Sequence, residues 1–209
     1  MGERDNRRLL IATHNAGKME EMRALMAPHG ISVVSAAELG LPEPEETEDT
    51  FVGNARIKAQ AAARATGLPA LADDSGLEID ALDGAPGVRT ADWAETENGR
   101  DFGLAMRRAH EALTACGAPE PWAARFQCTL VLAWPDGQDA VFSGTAEGSV
   151  VWPPRGREGH GYDPMFLPAG HDRTFAELTD AEKNAISHRA KALSALVESE
   201  VFNAWVRHP

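Results

Sequence analysis

Lysine is the scarce charge in this chain. Of 20 Lys and Arg residues among 209, lysine stands only at Lys18, Lys58, Lys183 and Lys191. Against that arginine bias, each lysine marks a place where a compact three-donor ammonium is wanted instead of a planar fork. Cysteine is nearly absent. Cys116 and Cys128 offer neither a metal-ligand spacing nor a disulfide framework, which predicts two reduced packing residues and a cytoplasmic protein. No apolar run approaches the roughly 18 residues of a membrane span. Residues 1–8 are charged where a signal peptide would be apolar, so no membrane partner is expected. Acidic residues outnumber basic ones 32 to 20, a net charge of −12, which argues against a broad nucleic-acid surface. An anionic ligand would have to be met by local basic residues and a divalent cation. Neither a G-x-x-x-x-G-K-[ST] loop nor a G-x-G-x-x-G fingerprint is present.

What is present reads as α/β (α+β). A length of 209 residues with 43% hydrophobic content allows one domain or two small lobes. Residues 9–13 form a short apolar strand, 14–17 a tight loop, and a helix with an apolar face at Met19, Met22, Leu25 and Met26 follows from Lys18. A strand, a loop and a helix start make an anion site, because the first helical N–H groups are unpaired and the dipole favours negative charge there. Residues 31–34 are a second strand. Residues 41–49 are an acidic loop with Pro42 and Pro44, either a solvated linker or the source of a metal-binding carboxylate. The pattern predicts helices over 50–66, stopped by Gly67, and over 98–116. Strand-like runs cover 70–72, 77–82, 124–134 and 140–151, the last two flanking a Pro-Asp-Gly turn.

Two stretches need closer reading. Leu71-Ala72-Asp73-Asp74-Ser75-Gly76 runs an apolar strand into adjacent carboxylates, which is a polar turn or a site for a metal or a proton. If the strand stays extended, neighbouring side chains face opposite sides, so Asp73 and Asp74 cannot chelate one ion as a pair. In the C-terminal run, Thr179-Asp180-Ala181-Glu182 has the capping-box pattern, and Ser187 is a second cap. On one continuous helix Lys183 and Arg189 would lie about 120° apart. Joint action therefore requires a break near 185–187, with a helix from about Ser187 carrying the stripe Leu193, Leu196, Val197, Val201 to near Trp205.

In this order the chain carries Thr13-His14-Asn15-Ala16-Gly17-Lys18, Glu45-Glu46-Thr47 with Thr50-Phe51 and Asn54-Ala55, Asp73-Asp74-Ser75-Gly76-Leu77, Gly161-Tyr162-Asp163-Pro164, and residues 182–189 with Lys183, His188 and Arg189. The set resembles the inosine/xanthosine triphosphate pyrophosphatase family from about Leu9 to Leu196. The resemblance implies an elongated mixed β-sheet flanked by helices, a single domain of two lobes with a central nucleotide cleft, and a Maf/ITPase-like fold. It implies hydrolysis of ITP, dITP and XTP to the monophosphate and pyrophosphate, with Mg²⁺ and as a homodimer. Carried over by position, Thr13 to Lys18 hold phosphate, Asp74 binds the metal, activates water, or both, and Ser75 contacts substrate. His160, Gly161, Tyr162, Asp163, Lys183, His188 and Arg189 bind the nucleotide. Lys18 and Lys58 add charge at the reacting phosphate, and Glu45, then Glu46, is the partner carboxylate. Related readings are a Maf-like pyrophosphatase of pyrimidine or modified nucleotides and a non-catalytic nucleotide sensor.

The chain departs from the family pattern at two positions. Gly53 stands where the family has glutamate, which removes that carboxylate and weakens the helix by about 1 kcal/mol if the position is interior. His160 stands where the family has phenylalanine; imidazole stacks as phenyl does, but it also titrates, so nucleotide affinity should weaken as it protonates.

Overall fold

The structure is a computed structural model that describes residues 7–13 and 16–207. The strands are β1 (Arg7–Ile11), β2 (Ile31–Ser35), β3 (Ala70–Ile79), β4 (Glu95–Thr96), β5 (Gly99–Arg100), β6 (Trp122–Ala133), β7 (Asp139–Val150) and β8 (Phe166–Pro168). The α-helices are α1 (Ala16–Met26), α2 (Phe51–Thr66), α3 (Phe102–Cys116), α4 (Asp180–Ile186), α5 (His188–Glu198) and α6 (Glu200–Arg207). Among the described residues, six strands form one mixed sheet in the order β2-β1-β3-β6-β7-β8, and β4 pairs with β5. β1 lies parallel to both β2 and β3, each reached through a helix, as parallel neighbours require. β7 and β8 are antiparallel.

The chain divides into two compact units. The first holds the residues up to Asp74, Thr129–Phe142 and those from Ser194 on; the second holds Ser75–Cys128 and Ser143–Leu193. In the first unit the core is small-residued. Ala55, Ala59, Ala62 and Ala63 of α2 pack with Leu10, Ala70, Ala72, Val131 and Ala133 of the sheet. α2 opens where the Thr50 hydroxyl accepts from the Gly53 amide at 3.1 Å and closes at Gly67 with φ of 68°. Arg56 Nε and Nη2 grip Asp139 at 2.8 and 3.1 Å, and Gln60 adds a third donor to the same carboxylate at 2.9 Å. The second unit has an aromatic core in which Phe126, Phe166 and Phe175 lie with ring centroids 4.8 to 5.9 Å apart.

The structure revises several element boundaries. β3 is one ten-residue strand through both aspartates, not a strand stopped at Ala72, and it ends at Ile79, where residues 80–82 tighten into a 3₁₀ turn. α3 starts at Phe102, not Asn98, because the Asp101 side chain caps it by accepting from the Leu104 amide while 95–100 form a small hairpin. The expected C-terminal helix is interrupted at Ser199. That hydroxyl accepts from the Phe202 amide at 3.1 Å, and Asn203 Nδ2 donates to the carbonyls of Val197 and Ser199 at 3.0 and 2.8 Å. The break near Ser187 is present: its backbone is extended, with φ −70° and ψ 154°.

The alanine seam allows α2 to lie close on its sheet. Ala59 is fully buried, so Ala59→Leu should overpack the seam and cost about 1–3 kcal/mol of unfolding free energy, read as a lowered urea midpoint.

Candidate active site

In the first unit, the chemistry gathers around α2. Lys58 lies in the middle of that helix and is 9% exposed. Its Nζ donates to Glu46 Oε1 at 2.5 Å. Burial pushes the ammonium pKa down, but the Glu46 hydrogen bond and the charges of Asp74, Asp73 and Glu46 outweigh it, and the net shift is upward. Lys58 is therefore a buried cation kept charged by carboxylates from two separate segments. Asp74 is 8% exposed whereas Asp73 is half-buried, as strand alternation requires. Of the two acidic-loop candidates, both exposed, Glu46 is the one hydrogen-bonded to Lys58. Thr13, at the end of β1, is 8% exposed. Its neighbours His14 and Asn15 lie outside the described residues. Ala16, Gly17 and Lys18 form the first residues of α1, so the strand–loop–helix path expected of an anion site is present in the backbone on either side.

In the second unit, a different constellation forms. Asp163, 3% exposed, accepts from the His160 amide at 2.6 Å and from Lys183 Nζ at 2.5 Å. Gly159 has φ of 77°, and a Cβ there would run into the Asp163 carboxylate, so the turn closes only around glycine. Lys183 Nζ also lies 5.5 Å from the Phe175 ring centroid. The His188 ring stacks on Phe126 at 4.9 Å and 12°, one residue beyond the Ser187 side chain that accepts from the Ala190 amide. A Cβ at Gly144 of β7 would strike the His188 carbonyl, so the first turn of α5 sits directly on that strand. Arg189, in the same turn, is half-buried, and so is Ser75 on β3.

Tyr162, expected to bind substrate, has its side chain inside the core. Its ring is 1% exposed and meets Phe102 edge-on, its hydroxyl donates to the Thr90 carbonyl at 3.3 Å, and burial raises its pKa. It shapes the turn from within the core. Asp163, likewise expected on the nucleotide, spends its carboxylate on Lys183 and the His160 amide.

Some contacts had weak or no sequence signal. Thr174 and Glu177 form a second capping box, which the T-x-x-E spacing could have flagged. Arg173 Nη2 reaches Glu182 Oε1 at 2.6 Å, holding the capping-box glutamate immediately before Lys183. Asn54, 2% exposed, accepts from the Glu48 amide at 2.9 Å through Oδ1. Among the described residues, no three His, Cys, Asp or Glu side chains are gathered closely enough to hold a metal ion by themselves. No helix among them is long and apolar enough to cross a membrane.

These features define a class: a mixed α/β protein whose first unit holds a buried lysine bonded to a loop glutamate and under the charge of two strand aspartates, and whose second unit holds an aromatic-backed lysine and a histidine. Comparison with known proteins makes the class specific. The chain belongs to the Ham1 family, whose model matches residues 9–199. It is 70% identical to the dITP/XTP pyrophosphatase of Ruegeria pomeroyi over 93% of this chain and 95% of that one. It is 55% identical to the protein of the same name from Gluconobacter oxydans, over 92% and 90%. Among solved structures it is similar to a HAM1 protein from Coxiella burnetii, with TM-score 0.87 at 38% identity over 96% and 99% of the two chains. It is also similar to the Staphylococcus aureus Ham1 protein, with TM-score 0.82 at 31% identity over 96% and 98%.

Hydrogen bonds from Arg173 and from the Thr179 amide and hydroxyl bring Glu182 down to a pKa of about 2. A lowered carboxylate pKa contributes stability that is present above its ordinary value near 4.5 and is lost as pH falls toward 2. Glu182→Gln should therefore lose less stability than the wild type across that window, measured by urea unfolding at successive pH values.

Proposed function

We propose that the protein hydrolyses non-standard purine nucleoside triphosphates, ITP, dITP and XTP, to the monophosphate and pyrophosphate with Mg²⁺. The observation that carries the reading is the buried Lys58, held charged by Glu46, Asp74 and Asp73. A site of this kind suits the phosphoanhydride chemistry named for the relatives. Its donors are carboxylate oxygens, the ligands a hard cation takes, and their negative charge exceeds that of the lysine. Mg²⁺ commonly uses one or two carboxylates and completes its shell with water and substrate phosphate. That habit fits a chain whose described acidic residues form no closed cage. Asp74 and Glu46 would hold the ion. When bound, it neutralises charge that develops on the phosphates and orients the leaving pyrophosphate.

The protein's own groups supply the rest. The start of α1, with Thr13 and Lys18, receives the triphosphate through backbone N–H groups and the helix dipole. Water attacks the α-phosphorus, the bond from that phosphorus to the α–β bridging oxygen breaks, and pyrophosphate leaves with the electron pair. Asp74 accepts the proton of the attacking water. Lys58 adds a fixed positive charge that needs no rearrangement at the moment of reaction.

The base is read by the second constellation. Lys183, fixed by Asp163, and the His188 and Arg189 side chains of the α5 first turn provide donors for a purine 6-keto oxygen. His160 flanks the ring, and Ser75 contacts substrate beside Asp74. Donors that face the amino group of adenine are left unpaired, at about 1–3 kcal/mol each. The reading extends to a homodimer acting in the cytoplasm, as the family resemblance implies.

Pyrophosphate release from ITP, XTP, dTTP, UTP and ATP tests the substrate class. ITP and XTP should be turned over far above the others; preference for dTTP or UTP would point to a Maf-like enzyme, and tight ITP binding without turnover to a sensor. Asp74→Asn should lower kcat by roughly 10²–10⁴-fold while the protein still folds, read as a retained cooperative unfolding transition. Near-normal turnover would remove Asp74 from its role.

A further inference from the structure

The acidic loop of residues 41–49 delivers Glu46 to Lys58, yet its first half is not close-packed. A cavity of about 120 Å³ lies beneath it, lined by Leu41, Pro42 and Pro44 on one side and Ala61, Ala62 and Ala65 of α2 on the other, with Lys58 also lining it. The Leu41 amide donates to the Ala36 carbonyl at 3.0 Å where the loop begins, and a side-chain hold from α2 meets its far end. There Asn54, buried in α2, takes the Glu48 amide on Oδ1 at 2.9 Å. Gly53 lies directly beneath the same residue. A Cβ at position 53 would stand 2.5 Å from Glu48 Cβ, 2.7 Å from Glu48 Cγ and 2.9 Å from the Thr50 hydroxyl oxygen. Two of those atoms are next to the backbone or part of the helix cap, so they cannot swing aside as a flexible side-chain tip would. Any side chain at 53 forces the loop outward, the cap apart, or both.

We propose that Gly53 and Asn54 are positioning residues for the metal-binding carboxylate: Asn54 tethers the acidic loop, and the gap at Gly53 lets it settle so that Glu46 reaches Lys58. The inference rests on the reading of Glu46, Lys58 and Asp74 as the metal and phosphate centre. It also gives the departure at position 53 a physical meaning, since the Glu48 side chain occupies the space above a residue that has none.

The sign of one substitution separates this from a bland helix effect. Alanine ordinarily stabilises a helical position occupied by glycine. Gly53→Ala should instead raise the Mg²⁺ concentration for half-maximal ITP hydrolysis about tenfold, with kcat at saturating Mg²⁺ within about twofold. Hydrogen exchange without metal or substrate gives a second readout: amide protection over residues 46–49 should fall in Gly53→Ala. Glu48→Gly combined with Gly53→Ala removes the two nearest colliding atoms, at 2.5 and 2.7 Å, leaves the Thr50 hydroxyl at 2.9 Å, keeps the tethered amide, and should recover most of both properties. An unchanged Mg²⁺ response and unchanged protection in Gly53→Ala would overturn the proposal, as would failure of the double variant to recover either. Glu46→Gln is the control for the underlying reading. If it leaves the Mg²⁺ response unaltered, Glu46 is not at the metal and the reading itself fails; if it alters the response while Gly53→Ala does not, only the positioning role fails.

Discussion

A charged lysine in the middle of a packed helix is the constraint around which the first unit is arranged. An ammonium taken out of water loses its hydration, and without compensation it would surrender its proton. Glu46 compensates from the acidic loop, and Asp73 and Asp74 from β3. The loop must therefore lie against α2, and α2 must lie against the strand that carries the aspartates. The Glu46 side chain is 38% exposed while that of Lys58 is 11% exposed, so the pair is half open. Its worth to stability is well below that of a fully buried ion pair, because water screens the carboxylate side. What the arrangement secures is position and charge.

The alanine seam follows from the same requirement. A helix that brings a lysine close to two strand aspartates needs a thin interface, and Ala55, Ala59, Ala62 and Ala63 provide it. Such small residues give up buried apolar area, roughly 25 cal/mol for each Å² not covered. The first unit adds polar fastening: Arg56 and Gln60 meet Asp139 from the same helix, and Arg56 chiefly holds that carboxylate pKa below its ordinary value. The second unit has no comparable restriction on its core and fills it with Phe126, Phe166, Phe175 and Tyr162.

Much of this is legible in the sequence, and the remainder is hidden for definable physical reasons. Local signals carried their full information: Thr50 and Gly67 bound α2, Thr179 and Glu182 form their capping box, and Ser187 breaks the helix where the angular separation of Lys183 and Arg189 demanded it. Position 53 was not readable, because a glycine in a helix looks like a propensity loss until the chain five residues earlier is seen to pass over it. The packing of Tyr162 was hidden for a related reason. A tyrosine between Gly161 and Asp163 looks like a ligand contact, and only the tertiary structure shows that its hydroxyl is used by Thr90 inside the core. That Glu46 and not Glu45 bonds Lys58 was not readable, because loop conformation, not periodicity, decides which carboxylate turns toward that lysine.

The two lysine–carboxylate pairs, one in each unit, use the same interaction with opposite polarity. Each has a 2.5 Å contact, but their exposures are reversed. In the first the ammonium is the inner partner, with side-chain exposure of 11% against 38% for Glu46. In the second the carboxylate is the inner partner, with Asp163 at 4% against 18% for Lys183. The outer member of a pair is the one able to take a new partner without leaving an uncompensated charge buried in the protein. A carboxylate faces outward in the first unit, which suits a cation. An ammonium faces outward in the second, braced by Asp163 and the Phe175 ring, which suits a neutral acceptor such as a keto oxygen. A neutral acceptor does not cancel the lysine charge, so Asp163 must remain beside it. Its three tethers, the His160 amide, Lys183 and the turn closed at Gly159, hold it there.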